Sequence, residues 1–262
     1  MALTPDTLAR IALAAGQEIM RIYRTDFSVE RKLDNSVLTE ADERAEAIIL
    51  KGLAEAEPEL QVIAEESVAG GHVPEHGNRF ALVDPLDGTK EFVDRNGEFT
   101  VNIAIIEHGR PVMGVVYAPA LQRLFVAESP SFAWQAKAAP DGPPPAKRQP
   151  LTVRPAPAEG LTAVASKSHR SPETDAWLEK YPIAELAGAG SALKFCLVAA
   201  GEADVYPRLG RTMEWDTAAG QAVVEAAGGR VLTLDGAPLL YGKRARGYDN
   251  PHFVVYGDVT PL

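Results

Sequence analysis

A single cysteine, Cys196, among 262 residues excludes an internal disulfide framework and a multi-cysteine zinc site. It sits in the apolar run from Ala192 to Ala200, where a thiol packs as a small hydrophobe. No apolar stretch approaches the roughly 18 residues that a membrane-spanning helix needs. The segment MALTPDTLAR lacks the basic-then-apolar pattern of a secretory signal. These absences set the expectation of a soluble cytoplasmic protein with no integral membrane segment. Peripheral contact with the inner membrane is compatible with the sequence but demanded by no segment. Positive charge is also short, with 26 Lys+Arg against 36 Asp+Glu and a formal net charge of -10. Such a chain repels polyphosphate backbones and carries no basic stripe, so nucleic acid is not an expected partner. If the ligand is itself anionic, something local must reverse the sign of the field, and bound metal cations would do so. No internal repeat is evident.

What is present is ordinary for a packed globular protein, at 46% hydrophobic and 24% charged residues. Leu8, Ile11, Ala15, Ile19 and Ile22 recur at three- and four-residue spacing and predict an amphipathic helix from Thr4 to Tyr23. A second helix is expected from Thr39 to Glu57, ended by Pro58. Short strand-like runs follow at Leu60–Ala64, Phe80–Val83, Val101–Glu107, Val112–Tyr117 and Leu124–Ala127. The pair around His108-Gly109-Arg110 reads as a hairpin. Ala138–Pro157 holds seven prolines and no period, so it reads as a linker. Beyond it, strands (161–166, 205–208, 230–234, 253–256) alternate with helices (172–181, 191–200, 217–227). The expected division is an N-terminal α+β half over residues 1–137, the linker over 138–157, and a C-terminal α/β half over 158–262. Together they suggest a layered α/β assembly.

Four places carry chemistry. In Leu82-Val83-Asp84-Pro85-Leu86-Asp87-Gly88-Thr89 a strand ends in two carboxylates three residues apart. Pro85 forces a turn, which can gather Asp84, Asp87 and the Leu86 carbonyl into a hard oxygen set suited to Mg²⁺. The same residues also read as a plain turn, punctuated by Asp87-Gly88. In Val62-Ile63-Ala64-Glu65-Glu66 a strand again ends in paired acids, which are either solvated or neutralised by a cation. Asp216, in Glu214-Trp215-Asp216-Thr217-Ala218-Ala219-Gly220, falls before an Ala-rich run and reads as an N-cap or as a third acidic arm. A helix start there would also attract phosphate. Thr39-Glu40-Ala41-Asp42 has the form of a capping box, in which Asp42 has a second use in polarising a water. Carboxylates from several element ends, with no His or Cys among them, argue for hard cations and against zinc. Two such cations a few ångströms apart can bind both the attacking and the leaving oxygen of a phosphoryl group.

These blocks resemble the inositol-monophosphatase superfamily, whose signatures look like D-P-L/I-D-G-T and W-D-x-A-A-G. The resemblance runs through Thr39–Asp42, Ala64-Glu65-Glu66, Leu82–Ile106, Val115–Pro119, Ser166–His169, Ser191–Ala200 and Trp215–Gly229. Lys90-Glu91-Phe92 after Asp-Gly-Thr is similar to the 3'(2'),5'-bisphosphate nucleotidase branch. Pro140–Pro150 departs from the pattern without touching a motif. The resemblance implies an αβαβα sandwich and conversion of 3'-phosphoadenosine 5'-phosphate (PAP) to AMP and phosphate. It also implies conversion of the sulfated form PAPS to adenosine 5'-phosphosulfate, Mg²⁺ dependence and inhibition by Li⁺. It assigns Glu65, Asp84 and the Leu86 carbonyl to one Mg²⁺ and Asp84, Asp87 and Asp216 to a second, with a third, weaker ion near Glu65. Backbone amides of Asp87, Gly88 and Thr89 are expected to cradle the scissile phosphate. Asp42 and Thr89 are expected to orient and deprotonate the water, with Glu65 beside them.

Ser166, His169 and Lys194 are the candidates for the adenosine and the second phosphate, by resemblance and by chemistry. Lys194 reads equally as a helix flank and His169 as a loop residue. The expected partner is a small phosphorylated nucleotide, and the chain a monomer or homodimer. Two other readings remain: the same fold acting on inositol monophosphate or another sugar phosphate, and a non-catalytic cation-binding protein.

Overall fold

The computed structural model describes residues 3–25, 29–31, 37–166 and 172–261. Helix α1 (Pro5–Tyr23) is capped by the Thr4 hydroxyl, which accepts from the Thr7 N–H at 3.2 Å. Strands β1 (Val29–Arg31) and β2 (Val37–Thr39) pair antiparallel ahead of α2 (Glu40–Ala56). The Thr39 side chain, offered above as a cap, lies outside the described residues. Then come β3 (Gln61–Ala64), the single turn α3 (Glu65–Ala69), β4 (Arg79–Asp87) and α4 (Thr89–Val93). Antiparallel strands β5 (Thr100–Glu107), β6 (Arg110–Ala118), β7 (Arg123–Ser129) and β8 (Phe132–Lys137) follow. A two-residue strand, β9 (Gln149–Pro150), ends the series. The hairpin between β5 and β6 turns on His108 and Gly109 alone, both at positive φ (49° and 76°), as its two-residue turn requires.

The second half supplies β10 (Leu161–Ser166), α5 (Pro172–Leu178), β11 (Ile183–Ala189), α6 (Leu193–Ala199) and β12 (Val205–Arg208). It closes with α7 (Glu214–Ala226), β13 (Arg230–Thr233) and β14 (Phe253–Tyr256). Seven strands form one sheet in the order β3-β4-β5-β6-β7-β8-β9, and five form another in the order β11-β10-β12-β14-β13. Helices α1 and α2 cover one face of the first sheet. Helices α6 and α7 lie between the sheets, and α5 packs outside the second. The layers therefore run αβαβα, as the resemblance implied.

Alternation along the strands explains the layering. In β4, Ala81 and Val83 join the core under α1 and α2, whereas Phe80 and Leu82 join the core under α7. Both sets are buried, so the strand reads as one continuous apolar run rather than an alternating one. The core beneath α7 draws Leu82, Ile106 and Phe125 from the first half and Val164, Phe195 and Phe253 from the second. The two halves thus share apolar packing across the Pro-rich segment. Gly114 lets α7 approach β6 closely, because a Cβ there would lie 2.8 Å from the Ala222 Cβ. Cys196 is fully buried in the same core, and burial pushes its thiol far up. Among the described residues no helix is long and apolar enough to cross a membrane.

Candidate active site

Register alone brings the first two acids together. Strands β3 and β4 run parallel with Ala64 opposite Val83, so Glu65 and Asp84 leave the same edge of the sheet side by side. Asp84 and Asp87 would point to opposite faces in a regular strand. They do not, because the β4–β5 pairing slips at Pro85-Leu86: Asp84 faces Asn102 and Asp87 faces Thr100. Three residues of β4 therefore span two of β5, a bulge that turns Asp87 to the Asp84 side. The Asp84 Oδ1 accepts the Leu86 N–H at 3.0 Å, locking the turn. On β5 the Thr100 hydroxyl donates to Asn102 Oδ1 at 2.9 Å, and Asn102 Nδ2 reaches Asp87 Oδ2 at 3.4 Å. Gly88 continues at φ 92° and opens α4 at Thr89.

The third arm is the start of α7. Asp216 is not its N-cap, as one sequence reading had it. The helix begins at Glu214, and Asp216 is its third residue, accepting the Met213 N–H at 2.8 Å. The apolar Ala-rich run hid this start, since Glu214 and Trp215 belong to the helix but not to that run. Carboxylate oxygens of Glu65, Asp84 and Asp216 all lie within 4.8 Å of one another.

Two further carboxylates, neither expected from the sequence, hold the arms in place. Glu46 on α2 is buried and accepts the N–H groups of Glu66 (2.8 Å) and Ser67 (2.9 Å) and the Ser67 hydroxyl (2.6 Å). Glu214, with no exposed surface, accepts the N–H groups of Gly242 (2.7 Å) and Lys243 (2.8 Å) and pairs with Lys243 Nζ at 2.8 Å. Asp42 is buried in the first turn of α2, where its charge bears on Asp84.

The electrostatics call for a cation. Asp84 is only 1% exposed. Burial, and then the charges of Glu65, Asp87, Asp216 and Asp42, hold its carboxyl well above the usual range. Asp216 is held well above its ordinary range by burial, with Asp87 and Glu65 adding to it. Asp87 is also raised by burial, an effect opposed by Lys194, by the Ala192 N–H and by Asn102. An oxygen-only set of converging carboxylates suits hard divalent cations, so these residues fit Mg²⁺.

Beside the acids lies a cavity of about 250 Å³. It is lined by Asp87, Gly88, Thr89, Lys90, Lys194, Tyr206, Arg208 and Asp216, among others. Lys194 is buried over the Tyr206 ring, and burial lowers its ammonium to about 8 against the pull of Asp87. Arg208 and Ser191 escaped the sequence reading. Ser191 precedes α6 at a left-handed φ of 52°, and its hydroxyl lies 2.7 Å from the Asp87 carbonyl and 2.8 Å from that of Glu98. The Gly190-Ser191 pair before an apolar run was the available signal. Ser166 ends β10, but its side chain and the whole of His169 lie outside the described residues.

Residues 5–253 match the model of the inositol monophosphatase family. The chain belongs to that family. It is 43% identical over 252 residues to the 3'(2'),5'-bisphosphate nucleotidase CysQ of Escherichia coli strain K12, covering 95% of this chain and 98% of that protein. The crystal structure of CysQ from Bacteroides thetaiotaomicron superposes with a TM-score of 0.82 at 38% identity, covering 98% of this chain and 97% of that one. An inositol monophosphatase from Zymomonas mobilis shares the fold at 24% identity and a TM-score of 0.75, covering 97% of this chain and 92% of that one. The family's enzymes are metal-dependent phosphatases, which accords with the acidic cluster.

Proposed function

We propose that this chain is a Mg²⁺-dependent 3'(2'),5'-bisphosphate nucleotidase. It hydrolyses the 3'-phosphate of PAP to leave AMP, and it converts PAPS to adenosine 5'-phosphosulfate. The observation that carries the reading is the meeting of the Glu65, Asp84 and Asp216 carboxylates, the last of which also lines the cavity that holds Lys194 and Arg208. Anionic substrate and acidic cluster are compatible only if cations stand between them.

In this reading Glu65, Asp84 and the Leu86 carbonyl hold one Mg²⁺, and Asp84, Asp87 and Asp216 hold the second. When bound, the ions offset the charge on the phosphoryl oxygens and lower the pKa of the attacking water. The chain supplies the rest by position. N–H groups of Asp87, Gly88 and Thr89, around the start of α4, donate to the scissile phosphate. The Thr89 hydroxyl orients the water, and Asp42 receives its proton as the new P–O bond forms and the P–O3' bond breaks. The departing 3'-oxygen takes a proton from a solvent water and leaves as the hydroxyl of AMP, and Asp42 returns its proton to solvent. Lys194 and Arg208 take the 5'-phosphate, as expected of point-charge and forked donors for that group. A monophosphate substrate would offer these two cations no second phosphate.

The test is phosphate release from PAP, PAPS, inositol 1-phosphate and fructose 1,6-bisphosphate, with and without Mg²⁺ and Li⁺. PAP and PAPS should turn over fastest, only with Mg²⁺, and Li⁺ should inhibit. Faster release from inositol 1-phosphate would reassign the substrate within the same fold. Mg²⁺ binding without release from any of the four would favour a non-catalytic cation-binding protein.

A further inference from the structure

We infer that Glu46 is a positioning residue for the metal centre: it fixes the first turn of α3 and thereby aims Glu65 at Asp84 and Asp216. The inference rests on the reading of that cluster as a Mg²⁺ site.

Helix α3 is only five residues long, and no side chain caps it from Ala64, the residue before its first turn. A helix that short has almost no stability of its own, because one or two internal hydrogen bonds do not offset the ordering of its backbone. Its conformation must be imposed from outside. Glu46 does this from α2, twenty residues away in sequence. Its two oxygens accept three donors, the Glu66 and Ser67 N–H groups and the Ser67 hydroxyl, all between 2.6 and 2.9 Å. Glu65 is the residue immediately before the two clamped amides. Its backbone direction is therefore set between the Ala64–Val83 strand pairing on one side and the Glu46 clamp on the other.

The same helix ties the clamp to the rest of the site. Asp42 and Glu46 are four residues apart on α2, so they share one face, and both are buried there. Asp42 lies against the acidic cluster, while Glu46 is spent wholly on backbone and hydroxyl donors. An acid buried beside other acids, in a chain already short of cations, is a poor choice for packing alone. Its value here is that a carboxylate can accept several converging donors, which an apolar side chain cannot. Glutamine at this position would keep the volume but present an NH₂ group to a cluster of donors. At least one of the three bonds would be lost, and Glu65 would gain freedom.

The test is Mg²⁺ binding by isothermal titration calorimetry on the full chain, with thermal melting of the metal-free protein and steady-state kinetics alongside. For Glu46→Gln the Mg²⁺ dissociation constant should rise about tenfold, in the range seen when groups supporting metal ligands are removed. The Mg²⁺ concentration for half-maximal activity should rise in parallel. At saturating Mg²⁺, kcat should recover to within a few-fold and KM for PAP should stay unchanged. Ser67→Ala removes one of the three bonds without placing a donor against donors, so it should fold and raise the dissociation constant about threefold. A lower melting temperature for Glu46→Gln with unaltered Mg²⁺ affinity would overturn the inference and leave Glu46 a merely structural residue. If Glu46→Gln fails to fold, unaltered affinity in Ser67→Ala overturns it equally. If the unsubstituted chain itself binds no Mg²⁺, the reading of the metal centre falls, and this inference with it.

Discussion

Replacing Asp84 with Asn should make the metal-free protein more stable and the enzyme nearly inactive. Asp84 is 1% exposed and its carboxylate lies within 4.8 Å of those of Glu65 and Asp216. At that separation two unit charges repel by about 3 kcal/mol if the effective dielectric constant is about 20. Partial protonation of the raised carboxyls removes part of that, leaving a gain of about 1–3 kcal/mol on neutralising the central member. Asn keeps the oxygen that accepts the Leu86 N–H, so the turn itself is retained. For a chain of this size the gain corresponds to a rise in Tm of about 2–5 °C. Activity should move the other way, since Asp84 is assigned to both cations. A loss on the order of 10³-fold or more in kcat, about 4 kcal/mol in barrier, is expected. Calorimetric melting of EDTA-treated protein and phosphate release from PAP at saturating Mg²⁺ are the assays. A lower Tm would refute the charge-repulsion account, and wild-type turnover would refute the assignment of Asp84 as a metal ligand.

Three more outcomes follow from the same geometry. Thr89→Ala should lower kcat by on the order of 10²-fold with little change in KM, because the hydroxyl is assigned to the water and not to the nucleotide; an unchanged kcat would remove it from the mechanism. Lys194→Met should raise KM for PAP at least tenfold while leaving release from a nucleoside 3'-monophosphate unaffected. In the wild type, the PAP KM should climb as pH passes about 8, where the buried ammonium loses its proton. A flat KM from pH 7 to 9 would argue against Lys194 as a phosphate ligand. The metal-free chain should gain stability as pH falls from neutrality towards the ordinary carboxylate range. Asp84 and Asp216 have folded-state pKa values above their unfolded ones, so the folded state binds more protons and stability declines as pH rises through that window. Added Mg²⁺ should raise Tm at pH 7.5 and progressively less towards pH 5, as protons compete for the same oxygens. A Mg²⁺-induced shift that grows on acidification would contradict this.

Much of the fold was legible because its elements are long or bounded by clear signals. The period of α1, the Pro58 stop after α2 and the apolar runs of β5 and β6 each had a local cause. Strands β10, β12 and β14 were placed at their observed limits. The strands β8 and β11 were missed. The first sets its one large buried residue, Trp134, between Ala133 and Gln135, with no β-branched residue to mark a strand. The second is an edge strand with mostly exposed residues and no alternating pattern. The short helices α3 and α4 carry no period at all, and α3 is held by Glu46 from a distant helix. In the site, the acids announced themselves by clustering at element ends. Arg208, Ser191, Glu46 and Glu214 did not, because nothing in the local sequence of each says what it touches.

Taken alone, the sequence determined which atoms are available: an acidic, cysteine-poor chain with carboxylates at the ends of apolar runs and a proline-glycine turn between two of them. Chemistry of that kind is set by residue type and local spacing, which are one-dimensional properties. Tertiary structure decided that these atoms meet. The parallel register of β3 on β4, the bulge at Pro85-Leu86 and the approach of α7 over Gly114 each join segments far apart in the chain. Such pairings depend on which buried faces fit one another, and no residue carries that information by itself.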